Sequence, residues 1–211
     1  LGAILLTHHH ADHVGGAAEL AADSGAPIYG PSDPRIAVAH TSVDDGDRVT
    51  LDSPTLEFEV LAIPGHTLSH IAYYGHGLLF CGDTLFSVGC GRLFEGSPAQ
   101  MLASLDRLAA LPGETLVCCG HEYTQANCAF ARTLDAGNAA LVARCAQASA
   151  LRARGAATVP VALADERMCN PFLRVDTPAL RSALDPDGRV DRVTRFAELR
   201  RRKDDFRMPA P

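Results

Sequence analysis

At 211 residues, 47% hydrophobic and 21% charged, the chain is long enough to bury a core without staples and has an ordinary globular composition. A net charge of −6 argues against a nucleic-acid partner, which calls for a basic face, and no apolar run approaches the roughly 20 residues of a membrane-spanning helix. Seven cysteines without a CxxC pair exclude a cysteine-rich zinc site and a disulfide framework, and fit a reducing, cytoplasmic setting.

In chain order, residues 3–7 form an apolar, strand-like run that ends in polar residues. The chain begins only one strand ahead of its first motif and without Met, so further sequence upstream is expected. Small and apolar residues at helical spacing predict a helix over 14–24, with Gly25 as its stop. Strands are predicted at 27–30, 48–51 and 55–63, the last two joined by a turn at Asp52-Ser53-Pro54. Segments 70–74 and 78–81 flank a hairpin turn at Gly75-His76-Gly77. Ser97 is placed to cap a helix over 98–110, with proline in its first position, and 115–119 is one more buried strand. After His121 strand signals nearly vanish, and 123–136, 139–154, 178–184 and 189–205 read as helices. The expectation is an α/β domain over 1–121 followed by an all-helical domain over 122–211.

The chemistry concentrates in Thr7-His8-His9-His10-Ala11-Asp12-His13. A purification-tag remnant does not continue as Ala-Asp-His after a buried strand. Residues two apart on extended backbone point the same way, so His8 and His10 can converge on one metal ion. Asp12 and His13 can address a second ion once the chain turns, while His9 points away and reads as structural. His66, Asp83 and His121 each stand just past a predicted strand, at one rim of the domain, where α/β enzymes carry their chemistry. Any one of them alone would more often be a satisfied surface residue; their repetition in one context is the signal.

The motifs T-H-H-H-A-D-H, G-H-T-L-S-H, F-C-G-D-T-L-F and C-G-H-E-Y-T resemble the metallo-β-lactamase fold superfamily. More narrowly, G-D-T-L-F-S-V-G-C-G-R-L-F-E-G, N-P-F-L-R-V and R-R-R-K-D-D-F are similar to glyoxalase II, the hydroxyacylglutathione hydrolases. The likeness runs from Thr7 to Met208. It implies an αββα sandwich followed by a helical domain that binds the glutathione thioester. It also implies N-terminal strands ahead of the first motif, which this chain lacks. By that resemblance His8, His10 and His66 hold one ion, Asp12, His13 and His121 the other, and Asp83 bridges them. The cofactors are then two divalent ions, zinc foremost, although nitrogen and carboxylate donors suit iron and manganese as well. Asp12 and Asp83 work with a metal-bridging hydroxide that attacks the thioester carbonyl of S-(2-hydroxyacyl)glutathione, typically S-lactoylglutathione, as in methylglyoxal detoxification.

Residues 189–211 carry eight Arg or Lys against four acids, a basic end on an acidic protein. Read alone, that is a solvated helix face. The resemblance instead assigns Arg200 and Lys203, three apart on one face, to the glycine carboxylate of glutathione, and matches Arg92 and Tyr123 to further substrate contacts. Arg201 and Arg202 are expected in solvent. Three positions depart from the family pattern. Phe94 stands for a tyrosine and loses a hydrogen bond worth about 0.5–1.5 kcal/mol, Ser69 stands for glycine, and Arg92 for lysine. The expected partner is a small-molecule glutathione thioester, with no nucleic acid and no membrane, and the protein is expected to be a monomer. Two alternatives remain open at this point: a glutathione persulfide dioxygenase of the same fold, and a truncated, non-catalytic metal-binding remnant.

Overall fold

Two sheets lie face to face, and the alternation of side chains along their strands decides which layer each residue serves. The computed structural model describes residues 1–52 and 54–208. β1 (Ile4–Leu5) pairs in parallel with β2 (Ile28–Gly30), and β2 with β3 (Thr41–Ser42), to make the smaller sheet. Between β1 and β2 run α1 (Ala11–Val14) and α2 (Ala17–Ser24). The single helix expected over 14–24 is therefore two, broken at Gly15-Gly16, because glycine is among the weakest helix formers.

The larger sheet begins as an antiparallel meander of β4 (Arg48–Asp52), β5 (Thr55–Ala62), β6 (Ile71–Gly75) and β7 (Leu78–Gly82). The turn expected at Asp52-Ser53-Pro54 lies partly outside the described residues, at Ser53. A small ribbon follows, β8 (Leu85–Phe86) with β9 (Gly89–Cys90). Next comes α3 (Pro98–Ala109), where Ser97 and Gln100 form a reciprocal capping box. β10 (Leu116–Cys119) then pairs in parallel with β7, with a register shift that leaves Cys81 without a partner on β10.

The C-terminal part contains α4 (Thr124–Arg132), α5 (Ala139–Ala153), α6 (Leu163–Cys169), α7 (Pro178–Leu184) and α8 (Arg192–Asp205). Among the described residues it is helical as expected, with one exception: β11 (Val161–Ala162) adds an antiparallel edge strand to β10. Sequence patterns missed β3, β8, β9 and β11 because two-residue strands have no periodicity to read. They also missed α6, whose buried face is Leu163, Glu166 and Cys169, so that a carboxylate interrupts the apolar stripe.

Phe58 and Val60 of β5, with Ile71 and Tyr73 of β6, point between the sheets and meet Val43, Leu5 and Tyr29. Their neighbours Leu61, Ile63 and Ala72 point the other way, against Met101, Leu105 and Leu108 of α3 and Phe196 and Leu199 of α8. On the outside of the small sheet, Ala17 of α2 packs on Leu6 and Ile28. The layers are thus helix, sheet, sheet, helix. Among the described residues no helix is long and apolar enough to cross a membrane.

Removing the cap of α3 gives a direct stability test. Ser97→Ala is expected to lower unfolding stability by about 1 kcal/mol in denaturant titration, and an unchanged midpoint would contradict that role for the capping box.

Candidate metal centre

Four chain segments deliver polar side chains to one rim of the sandwich: the exit of β1, the β5–β6 connection, and the ends of β7 and β10. Backbone bonds tie them together. Ile71 N–H donates to Thr7 O at 3.0 Å, and Gly120 N–H donates to Gly82 O at 2.9 Å. α1 is a single helical turn that lifts Asp12 and His13 toward the cluster, while His8 and His10 arrive on extended backbone.

The donors form two adjoining groups. His10 Nδ1 stands 3.1 Å from His8 Nε2 and 3.0 Å from His66 Nε2. His121 Nε2 stands 3.2 Å from His13 Nε2 and 3.3 Å from Asp12 Oδ2. Asp83 lies between the groups, with Oδ2 3.2 Å from His121 Nε2 and 3.6 Å from His66 Nε2, and Oδ1 3.3 Å from His13 Nε2. Donor atoms that share one tetrahedral ion at about 2.0–2.1 Å stand about 3.3 Å from one another, which is the spacing seen. Among the described residues, the sets whose donor atoms converge in this way are His8, His10 and His66; His8, His13 and Asp83; and Asp12, His13 and His121.

Protonation at His8, His10 and His66 agrees with a site for cations, whereas at His13 Asp83 and Asp12 outweigh burial and raise the pKa. His66 Nδ1–H donates to Arg92 O at 2.8 Å, so Nε2 faces the cluster with a bare lone pair. Burial, then the surrounding imidazoles, drives the His8 pKa far below its ordinary value, and burial also lowers His10 and His66. Neutral imidazole is the ligand form. Burial would raise the Asp83 carboxyl, but His13, His121 and His66 bring it below the ordinary carboxylate value. Its Oδ1 is buried with no hydrogen-bond partner, an arrangement that costs free energy unless a cation fills the gap. The residues present therefore fit divalent ions, and donor type does not choose which metal.

Glycines make the convergence sterically possible. At Gly82 φ is +47°, and a Cβ there would lie 2.4 Å from Thr7 Oγ1. At Gly120 a Cβ would lie 2.5 Å from Asp83 Oδ1 and 2.7 Å from His13 Cε1.

His9 faces away from the cluster, toward Asp33 Oδ2 at 3.5 Å and Glu95 Oε1 at 3.6 Å. His70 is the residue that sequence reasoning overlooked, although it closes the motif containing His66. It is buried, its ring stacks on His8 at 4.5 Å, and its Nε2 accepts the Asp83 N–H at 3.2 Å. Its Nδ1–H donates to Ile71 O at 3.0 Å, which fixes the tautomer, and burial pushes its pKa down to about 3. His70 thus holds the backbone of Asp83 as an uncharged acceptor.

Residues 1–121 match the family model of the metallo-beta-lactamase superfamily, and residues 122–206 match the one described as hydroxyacylglutathione hydrolase C-terminus. The hydroxyacylglutathione hydrolase of Xanthomonas campestris pv. campestris is 54% identical over 209 residues, spanning 97% of this chain and 81% of that one. That of Cupriavidus taiwanensis is 52% identical over 221 residues, spanning 98% of this chain and 83% of its own. The chain belongs to the hydroxyacylglutathione hydrolase family. The crystal structure of ETHE1 from Myxococcus xanthus shares the fold, with a TM-score of 0.63 at 26% identity, covering 98% of this chain and 70% of that one.

In this member of the hydroxyacylglutathione hydrolase family, a cavity of about 500 Å³ runs from His66 and Asp83 past Arg92 and Tyr123 to Arg200 and Lys203. The Tyr123 ring stacks on His121 at 4.9 Å. Phe94 is exposed and sets its ring edge-on to His66 and His10, at 5.2 and 5.5 Å. Ser69 donates to Asp33 Oδ2 at 2.5 Å, so the residue found in place of glycine fastens its loop.

The basic helix face is not simply solvated. Arg200 is 5% exposed and donates to Cys90 O at 2.7 Å and to Asp204 Oδ1 at 3.0 Å. Lys203 Nζ lies 5.6 Å from the Phe130 and Phe206 ring centres, and burial, then Arg200 and Arg92, pushes its pKa down to about 8. Arg201 is exposed, as expected. Arg202 departs from that expectation, because Glu198 and the Ala183 carbonyl draw it against the protein.

Elemental analysis of purified variants tests the centre. Gly120→Ala is expected to bind less metal than the unaltered protein, because the new Cβ displaces Asp83 and His13, whereas His9→Gln keeps its metal content. Equal metal content in the two variants would contradict the arrangement.

Proposed function

We propose that the chain hydrolyses S-(2-hydroxyacyl)glutathione, S-lactoylglutathione in the first place, to glutathione and a 2-hydroxy acid. The observation that carries this reading is a cavity lined both by His66 and Asp83 of the cluster and by Arg92, Arg200 and Lys203. A glutathione thioester has matching ends, a carbonyl to be attacked and a peptide that bears carboxylates. The names of the Xanthomonas and Cupriavidus relatives support the same substrate.

In this reading His8, His10 and His66 would hold one ion and Asp12, His13 and His121 a second, with Asp83 as a further ligand between the two groups. Zinc is the first choice of metal, with iron or manganese as substitutes. When bound, two divalent ions supply an acidified water as nucleophile and polarise the thioester carbonyl. Asp12 and Asp83 offset part of the metal charge and leave the centre net positive, and Asp83 is held through a backbone that His70 fixes. Lys203 and Arg200 receive the glycine carboxylate of glutathione, while Arg92 and Tyr123 line its path toward the cluster. Residues 1–121 then form the catalytic domain and 122–211 the glutathione-thioester-binding domain. The protein acts in the cytoplasm as a monomer, in removal of methylglyoxal-derived thioester.

Metal-loaded protein is expected to hydrolyse S-lactoylglutathione and to stop when a chelator removes the metal; a loaded protein that leaves the thioester intact would reject the reading. Lys203→Ala is expected to raise KM by about tenfold with kcat little changed, the pattern of lost uniform binding. The lysine is cationic below its pKa of about 8, so substrate affinity should fall as pH rises through that value. A decline delayed to the ordinary lysine value of about 10.4 would show that burial does not perturb this group.

A further inference from the structure

The turn between β8 and β9 is held by the helical part of the chain in a shape it does not favour by itself. Val88 has φ of +58°, a left-handed conformation that a β-branched residue rarely adopts. Almost every polar group around it is taken by a side chain from beyond residue 121. Glu166 Oε2 accepts the Val88 N–H at 2.7 Å, and Oε1 accepts the Ser87 hydroxyl at 2.7 Å. Asn170 Nδ2 donates to Phe86 O and Gly89 O, each at 3.0 Å, and Asn127 Nδ2 donates to Ser87 O at 3.0 Å. Arg144 Nη2 reaches the Ser87 oxygen at 2.8 Å.

Glu166 is fully buried and Arg144 is 6% exposed. Burial raises the Glu166 carboxyl pKa, and the donors around it oppose that rise. Apolar side chains could not replace them, because the buried Val88 N–H and Ser87 hydroxyl would lose their acceptor. What the charges hold is the segment that begins at Asp83 and forms one wall of the cavity. Phe86 lines that cavity, with its ring 5.3 Å from Tyr123, and the Cys90 carbonyl at the other end of the ribbon receives Arg200.

We infer that Glu166 is a positioning residue for the hydrolysis, holding Ser87 and Val88 so that residues 83–91 keep Asp83 and the cavity wall in register. The inference rests on the proposed thioesterase function. Loss of the clamp frees Val88 to leave the left-handed region, and the displacement is carried along the ribbon toward Asp83 and Phe86. Glycine at position 88 adopts positive φ without a clamp, so the defect is repairable at a second position.

The test uses the full chain, metal-loaded, with S-lactoylglutathione as probe. Glu166→Ala and the isosteric Glu166→Gln are compared with the same changes combined with Val88→Gly, reading kcat, KM, metal content and thermal unfolding. Glu166→Ala is expected to lower kcat by about tenfold to a hundredfold, the range that a small misplacement of reacting groups produces. Metal content should fall by less than in Gly120→Ala, and Val88→Gly should restore most of the loss in kcat. Should the alanine variant not fold, the glutamine pair decides, with a smaller loss and the same repair. Wild-type kcat in folded Glu166 variants, or a loss that Val88→Gly leaves unrepaired, overturns the inference. An inactive wild-type protein would instead reject the thioesterase reading, which keeps the two failures distinct.

Discussion

Imidazole nitrogens and carboxylate oxygens converge to about 3 Å of one another at this rim, a spacing that suits donors to a shared cation. Much of the rim is arranged to maintain that convergence. Glycines at 82 and 120 leave room for it, and the Arg92 carbonyl turns the His66 ring so that Nε2 faces inward. His70, buried and neutral, stacks on His8 and holds the amide of Asp83. These contacts restrain the donor side chains at the rim.

A second consequence of the fold is that the helical part completes the catalytic part. It supplies Arg200 and Lys203 to the cavity, a strand to the sheet edge, and the clamp around Val88. The cations at the far end are themselves restrained. Asp204 lies 3.4 Å from Arg92 and 3.0 Å from Arg200, so a protein carboxylate already occupies part of the charge that an incoming carboxylate would meet.

Much of this was legible in the sequence, for reasons that can be stated residue by residue. The strand alternation at 55–63 and the cap at Ser97 are local patterns with one physical solution, and both elements formed where the pattern placed them. The seven donors were readable because each follows a strand end, and topology then brings strand ends to one rim. Glu166 was not readable: a carboxylate on the buried face of a short helix looks like a surface residue until Ser87 and Val88 are packed against it. Asp33 escaped for a similar reason. Its partners Arg35, Ser69 and His9 come from three loops, and no spacing along the chain announces their meeting. The Gly15-Gly16 break was visible in the sequence but outweighed by the apolar spacing on either side.

The central claim is that one centre holds two ions and needs both for hydrolysis. Stepwise addition of a divalent metal to metal-free protein, with bound metal and S-lactoylglutathione turnover recorded together, tests it most directly. Turnover should keep rising until two ions are bound per chain and then level off. Full turnover at one bound ion, with none gained on the second, would contradict it.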